Sequence, residues 1–130
     1  MPQKMDLKVG LLGGGSWGTT VAALVARNAP ITMWARNGEA VREINTDHTN
    51  SRYLPDASLP ESLLATHDIE EAVADKDVII MGIPSQSFRA VLEEIKPYIR
   101  PWVPIISLSK GLELSTQKRM TEIIDEVCPA

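Results

Sequence analysis

Short aliphatic runs alternate along this chain with longer segments whose apolar residues recur at helical spacing. The runs predict strands, because the strands of a buried parallel sheet are short and almost uninterrupted in hydrophobicity. The predicted strands cover residues 7–12, 31–35, 63–66, 77–83 and 103–108. The predicted helices cover residues 16–28, 39–45 and 69–74, a segment after Ser85, and residues 116–127. Strands that alternate with helices predict an α/β fold with a doubly wound parallel sheet, as one domain over residues 1–130.

Polar and turn-forming residues mark where these elements begin and end. Asp68 is placed to cap the helix that follows it, and Ser85 is placed to cap the next helix after Pro84 ends the fourth strand. Residues 47–60 have the composition of a loop. The helix residues predicted to face the core are Val41, Ile44, Phe88, Val91, Leu92, Ile95, Met120, Ile123, Ile124 and Val127.

A glycine-rich turn joins the first predicted strand to the first predicted helix, and it fits the pattern G-x-G-x-x-G from Gly13 to Gly18. Gly13 permits the tight turn, Gly15 lets the backbone approach a pyrophosphate, and Gly18 lets the helix pack close to the strand. The free amides of the first helical turn, which holds Ser16 and Trp17, would face the phosphates. This context predicts a Rossmann-type sheet that binds a nicotinamide dinucleotide. The alternatives are a flexible glycine turn with no ligand and, for Trp17, ordinary surface packing.

Arg36 stands at the tip of the second predicted strand, where an NAD-binding unit usually carries an acid for the ribose 2′-hydroxyl. A guanidinium can instead hold a 2′-phosphate through two parallel hydrogen bonds. The residue therefore favours NADP over NAD as the cofactor, and the alternative is a solvated surface charge.

The ends of the fourth and fifth predicted strands lie at the edge of the sheet where open α/β folds bind ligands. Pro84 and Ser85 follow the fourth strand near the expected nicotinamide position. Lys110 follows the fifth strand, where it would bind a phosphate or carboxylate or polarise a carbonyl. The alternatives are a helix starter for Pro84, a helix cap for Ser85 and a solvated side chain for Lys110.

Composition excludes several other classes of function. The net charge of −4 and the lack of any lysine or arginine cluster exclude a nucleic-acid partner. The single cysteine, Cys128, cannot form an internal disulfide, which favours a reducing compartment. No apolar segment approaches the roughly 20 residues of a membrane span, so the chain is predicted to be cytoplasmic.

Five segments in this order resemble the cofactor-binding half of bacterial NAD(P)-dependent glycerol-3-phosphate dehydrogenase, and the resemblance covers essentially the whole chain. They are the sequences Gly13-Gly14-Gly15-Ser16-Trp17-Gly18-Thr19, Trp34-Ala35-Arg36, Asn50-Ser51-Arg52-Tyr53-Leu54-Pro55, Val78-Ile79 with Ile83-Pro84-Ser85, and Ser107-Leu108-Ser109-Lys110-Gly111. The resemblance implies the reduction of dihydroxyacetone phosphate to sn-glycerol 3-phosphate for phospholipid synthesis. The alternatives are another two-domain dehydrogenase, acting on a hydroxy acid or keto acid, and a non-catalytic module that senses the dinucleotide.

The same resemblance implies roles for individual residues. Ser16, Trp17, Arg36 and Tyr53 would contact the cofactor, Lys110 would meet both cofactor and substrate, and Pro84 and Ser85 would lie beside the nicotinamide. The family carries its general-base lysine in a second, helical domain that these 130 residues do not contain. We therefore expect the chain to bind cofactor with little turnover, and a face left uncovered by that domain to favour a homodimer.

Overall fold

The computed structural model describes residues 7–13, 15–109 and 113–128. Its strands are β1 (Val9–Leu12), β2 (Ile31–Trp34), β3 (Leu63–Thr66), β4 (Val78–Met81) and β5 (Ile105–Ser107). Its helices are α1 (Ser16–Ala26), α2 (Gly38–Asp47), α3 (Ile69–Val73), α4 (Ser85–Ile95) and α5 (Met120–Val127), with a short 3₁₀ helix at Lys96–Tyr98. The predicted order of strands and helices is confirmed, and most strands are shorter than their apolar runs.

The strands form one parallel sheet in the order β3-β2-β1-β4-β5. This arrangement confirms the α/β, Rossmann-type, doubly wound fold. β1 lies in the middle, and its Leu11 and Leu12 are completely buried in two separate hydrophobic clusters. The chain crosses from one side of β1 to the other between β3 and β4. A crevice for a ligand is therefore expected at the carboxyl ends of β1 and β4.

In α2, α4 and α5 the buried residues are mainly those that the spacing predicts, whereas the residues that α1 buries are the small ones, Gly18, Thr19, Ala22 and Ala26. Val41, Ile44 and the four predicted positions of α4 are buried, as are Met120, Ile123 and Val127 of α5, whereas Ile124 is only half-buried. Asp68 caps α3 as predicted, because its Oδ1 accepts a 3.1 Å hydrogen bond from the Glu70 amide. In the part of the chain that the structure describes, no helix is both long enough and apolar enough to cross a membrane.

Two predictions about helix starts are wrong. Ser85 does not cap α4, because Pro84 occupies the cap position and Ser85 is already the first helical residue. The final helix begins at Met120 and not at residue 116. Its expected first turn is replaced by a turn closed by Glu113, which accepts hydrogen bonds from the Gln117 amide at 2.6 Å and the Thr116 hydroxyl at 2.5 Å. Gln117 then takes a left-handed backbone with a φ of 59°, which a helix cannot contain.

An ion-pair cluster holds this turn against α4. Arg89 donates to both carboxylate oxygens of Glu113, at 2.9 to 3.2 Å, and also pairs with Glu126 at 3.1 Å. The hydrogen bonds from Arg89 and Lys118 lower the pKa of Glu126 to about 2. The cluster therefore stays charged across the neutral range and joins α4 to α5.

Candidate functional site

A cleft of about 690 Å³ opens at the carboxyl ends of β1, β2 and β4. Four segments contribute to it: the glycine turn after β1, the end of β2 with the start of α2, the loop between α2 and β3, and the end of β4 with the start of α4. Its lining residues are Gly13, Gly15, Trp34, Ala35, Arg36, Asn37, Glu39, Ala40, Glu43, Asn50, Ser51, Arg52, Tyr53, Gly82, Ile83, Pro84 and Ser87. The cleft is thus where the strand order predicts a ligand site.

Gly13 forms the tight turn that leaves β1. Its φ is 128°, and its amide donates a 2.9 Å hydrogen bond to the carbonyl of Trp34. A Cβ on this residue would lie 2.3 Å from the carbonyl oxygen of Gly82, just beyond β4. Gly18 packs closely as well, since a Cβ added to this residue would lie 2.8 Å from the carbonyl oxygen of Gly13. Protein contacts alone therefore explain why these two positions are glycine.

Gly15 differs from its neighbours because nothing in the described protein crowds it. A Cβ there would meet no atom within 4 Å, and its φ of −76° is open to any residue. Gly15 is also the cap residue of α1, and the first turn of that helix carries no acidic side chain. The leading amides of α1 are therefore left for an outside acceptor, which a phosphate supplies.

The two side chains beside Gly15 have different surroundings. The Ser16 hydroxyl donates a 3.1 Å hydrogen bond to the carbonyl of Tyr53, so the structure brings these two predicted site residues together. The Trp17 ring is 60% exposed and is not among the described residues that line the cleft. The Trp17 side chain therefore lies outside the described lining, and contact of Trp17 with the cofactor stays a prediction.

Arg36 lies exposed at the end of β2, with its guanidinium carbon 5.8 Å from the centre of the Trp34 ring. No carboxylate of the described chain forms an ion pair with it. The cleft does contain an acid nearby in sequence, Glu39 in the first turn of α2. The sequence does not point to Glu39, because the strand-tip position where the motif places an acid is taken by Arg36.

The loop between α2 and β3 forms one wall of the cleft. An isolated bridge pairs Asn50 with Leu54, and the Asn50 amide donates a 2.9 Å hydrogen bond to the buried hydroxyl of Thr19 in α1. The guanidinium carbon of Arg52 lies 5.5 Å from the centre of the Tyr53 ring. Apart from Tyr53, these loop residues are not predicted from the sequence. Their signals in the sequence are a polar stretch between a helix and a strand and the family resemblance of the segment 50–55, which implies a role for Tyr53 alone.

Glu43 of α2 accepts the hydrogen bonds that hold this loop. Its carboxylate accepts from the Thr49 hydroxyl at 2.6 Å, the Ser51 amide at 2.8 Å and the Ser51 hydroxyl at 3.0 Å. The Thr49 hydroxyl, followed by the Ser51 amide, lowers the pKa of Glu43 below its usual value. The sequence does not predict that Glu43 holds this loop, because a glutamate on a predicted helix is typical of a solvent-exposed surface.

The ends of β4 and β5 are joined next to the cleft. The Ser109 hydroxyl donates to the carbonyl of Ile83, and the Ser109 amide donates to the Ser107 hydroxyl at 3.1 Å. Pro84 lines the cleft, whereas Ser85 does not. Lys110, the predicted substrate contact, lies outside the described residues. Within residues 7–13, 15–109 and 113–128, no group of three or more His, Cys, Asp or Glu could hold a metal ion.

Comparisons with known proteins agree with this geometry. The family model described as the NAD-dependent glycerol-3-phosphate dehydrogenase N-terminus matches residues 8–130. An NAD(P)+ glycerol-3-phosphate dehydrogenase from Sphingopyxis alaskensis is 64% identical over 125 residues, which are 96% of this chain and 38% of that protein. The corresponding enzyme of Mycobacterium tuberculosis is 51% identical over 97% of this chain and 37% of its own length.

A solved structure supports the same relationship. Glycerol-3-phosphate dehydrogenase from Coxiella burnetii superimposes with a TM-score of 0.86 at 28% identity, over 96% of this chain and 38% of that one. The chain thus spans less than two-fifths of the length of these relatives.

Proposed function

This chain belongs to the NAD-dependent glycerol-3-phosphate dehydrogenase family as its N-terminal dinucleotide-binding domain, and from that membership we propose the function of the whole protein. The domain binds NADP(H) or NAD(H) for an enzyme that reduces dihydroxyacetone phosphate to sn-glycerol 3-phosphate. The observation that carries the proposal is Gly15, whose open side-chain position lies in the cleft at the uncapped start of α1. Cytoplasmic location and homodimer formation stay predictions.

The pyrophosphate is proposed to lie on the amides of Ser16 and Trp17, where the dipole of α1 adds a partial positive charge. Gly15 leaves room for it, and Gly13 and Gly18 are proposed to contribute by shaping the turn that carries it. Tyr53 is proposed to contact the cofactor from the loop that Ser16 binds. When bound, the nicotinamide supplies the hydride. The chain's own contribution is to position the cofactor.

The nicotinamide and substrate end of the cofactor is proposed to lie toward β4 and β5. Pro84 lines the cleft at that end, and Ser85 starts α4 beside it. Lys110, which follows β5 in the sequence, is proposed to orient the substrate by neutralising its phosphate or polarising its carbonyl. These roles combine the family resemblance with the strand order, which places the ends of β1, β4 and β5 side by side.

The direct test of this function is to measure binding and turnover separately in the purified 130-residue chain. We expect calorimetry to detect NADPH binding. We also expect no oxidation of NADPH on addition of dihydroxyacetone phosphate, because the proposed general-base lysine belongs to the part of the relatives that this chain does not cover. Absence of binding to both NADPH and NADH would contradict the proposed function. Rapid oxidation of NADPH by this chain alone would contradict the proposal that the general base lies in the part of the relatives that it does not cover.

Arg36 is proposed to select NADPH by pairing with its 2′-phosphate. The Arg36 guanidinium forms no ion pair with a described carboxylate, and it lies over the Trp34 ring. It is therefore available for a bidentate contact with a phosphate. We expect Arg36→Ala to weaken NADPH binding by about 10- to 100-fold, the effect of losing a charged hydrogen-bonded pair, and to leave NADH binding nearly unchanged.

Parallel calorimetric titrations with NADPH and NADH measure this selectivity. Arg27→Ala is the matched control, because Arg27 is an exposed arginine at the opposite end of α1. An equal loss for both cofactors in Arg36→Ala, or the same loss in Arg27→Ala, would show that Arg36 does not read the 2′-phosphate.

A further inference from the structure

The loop that carries Tyr53 is held in place from two sides. On one side, the Ser16 hydroxyl donates to the Tyr53 carbonyl and Asn50 donates to Thr19, which joins the loop to α1. On the other side, Glu43 joins it to α2 through three hydrogen bonds. Residues 48–62, all of which the structure describes, contain no regular helix or strand, so backbone turns and these side chains together hold the loop.

The contacts of Glu43 suit a carboxylate better than any neutral side chain. One oxygen accepts from both the Thr49 hydroxyl and the Ser51 amide, and the other accepts from the Ser51 hydroxyl. Hydrogen bonds to an ionised acceptor are stronger than those between neutral groups. Glu43 is half-buried and also lines the cleft, so it lies close to the surface that Arg52 and Tyr53 present to the ligand.

We propose that Glu43 is a positioning residue for dinucleotide binding: it holds residues 49–53 so that Tyr53 and Arg52 already face the cofactor before it arrives. This inference rests on the proposed function of the cleft. A wall that is ordered before binding lowers the entropy lost on binding, and this raises affinity without adding a contact to the ligand. The proposed effect of Glu43 on affinity is therefore exerted through Tyr53 and its neighbours.

Two variants of Glu43 test the proposal by calorimetric titration with NADPH. Glu43→Leu leaves three donors without an acceptor, and we expect about a tenfold loss of affinity. Glu43→Gln keeps the shape, since its amide oxygen can accept from Thr49 and the Ser51 amide while its NH₂ donates to the Ser51 hydroxyl. We expect it to recover most of the affinity, to within about threefold of the wild type.

A control and a folding measurement accompany these titrations. Glu94→Leu makes the same replacement at an exposed position of α4 outside the cleft, and we expect no change in NADPH affinity. Circular dichroism gives the folded fraction of each variant, and affinities are compared per folded molecule. If Glu43→Leu does not fold, Thr49→Val takes its place, alone and combined with Tyr53→Ala, because it removes the donor of the 2.6 Å hydrogen bond to Glu43.

A double-mutant cycle with Tyr53→Ala separates positioning from general stability. If Glu43 acts by placing Tyr53 and Arg52, then its substitution costs less affinity once the Tyr53 ring is absent, so the two losses are not additive. Additive losses, or a Glu43→Leu variant that binds NADPH as tightly as the wild type, would overturn the proposal. A wild-type chain that binds neither NADPH nor NADH would instead overturn the proposed function, and the role of Glu43 with it.

Discussion

Gly15→Asp is expected to abolish NADPH binding while raising the melting temperature of the chain. Affinity falls while stability rises because position 15 both caps α1 and lies at the proposed pyrophosphate site. Nothing within 4 Å opposes a side chain at Gly15, and its backbone is in a region that aspartate adopts freely. An aspartate caps a helix better than glycine does and places a negative charge at the positive end of the helix dipole.

The stabilisation should be about 0.5 to 1 kcal/mol, which for a domain of this size raises the melting temperature by about 2 to 4 °C. The new carboxylate accepts hydrogen bonds from the amides that are proposed to bind the pyrophosphate. Its negative charge also repels the phosphates themselves. We expect the affinity for NADPH to fall by about 100-fold or more. Thermal unfolding followed by circular dichroism and calorimetric titration measure the two effects on one sample.

Gly15→Asn is the matched control, because asparagine also caps a helix but carries no charge. We expect it to stabilise the chain and to weaken NADPH binding less than aspartate does. A Gly15→Asp variant that binds NADPH with wild-type affinity would show that the pyrophosphate does not lie at the start of α1, and the proposed function would lose its main support.

Gly13→Ala is expected to unfold most of the protein or to lower its free energy of unfolding by about 3 to 5 kcal/mol. Two costs add at this position. The φ of 128° is rarely adopted by residues with a Cβ, and the new atom would lie 2.3 Å from the Gly82 oxygen and 2.9 Å from its carbonyl carbon. Both neighbours are backbone atoms held by the Gly82 amide, which donates a 2.7 Å hydrogen bond to Leu12, so neither can easily move.

Urea unfolding compared with Gly38→Ala measures this effect. A Cβ on Gly38, at the start of α2, would meet no atom within 4 Å, and alanine there needs no unusual backbone. We expect that control to be neutral or stabilising by up to about 1 kcal/mol. A Gly13→Ala variant whose unfolding free energy lies within about 0.5 kcal/mol of the wild type would contradict the close approach of β1 and β4 at this turn.

Much of the fold is predictable from the sequence because its signals are local. The residues Val78–Met81 are all apolar, which is typical of a strand whose side chains are buried on both faces of the sheet, and so they predict a central strand. The errors occur where a local pattern competes with a contact from elsewhere. Residues 116–119 have an acceptable composition for a helix. They form a turn instead, because Glu113, held by Arg89 of α4, accepts hydrogen bonds from the Thr116 hydroxyl and the Gln117 amide.

The sequence by itself determined the alternation of strands and helices, the parallel sheet and the glycine turn, since periodicity and backbone freedom belong to neighbouring residues. The motif already gives Gly13 and Gly15 different roles, but only the tertiary structure shows the contacts behind them. Gly13 is confined by Gly82, which lies far along the chain after β4, whereas Gly15 faces open space in the cleft. Only the tertiary structure likewise joined Glu43 to the Tyr53 loop. These properties depend on how the backbone brings Gly82 against Gly13 and turns the loop after α2 back onto Glu43, and the pattern of apolar and polar residues does not record that.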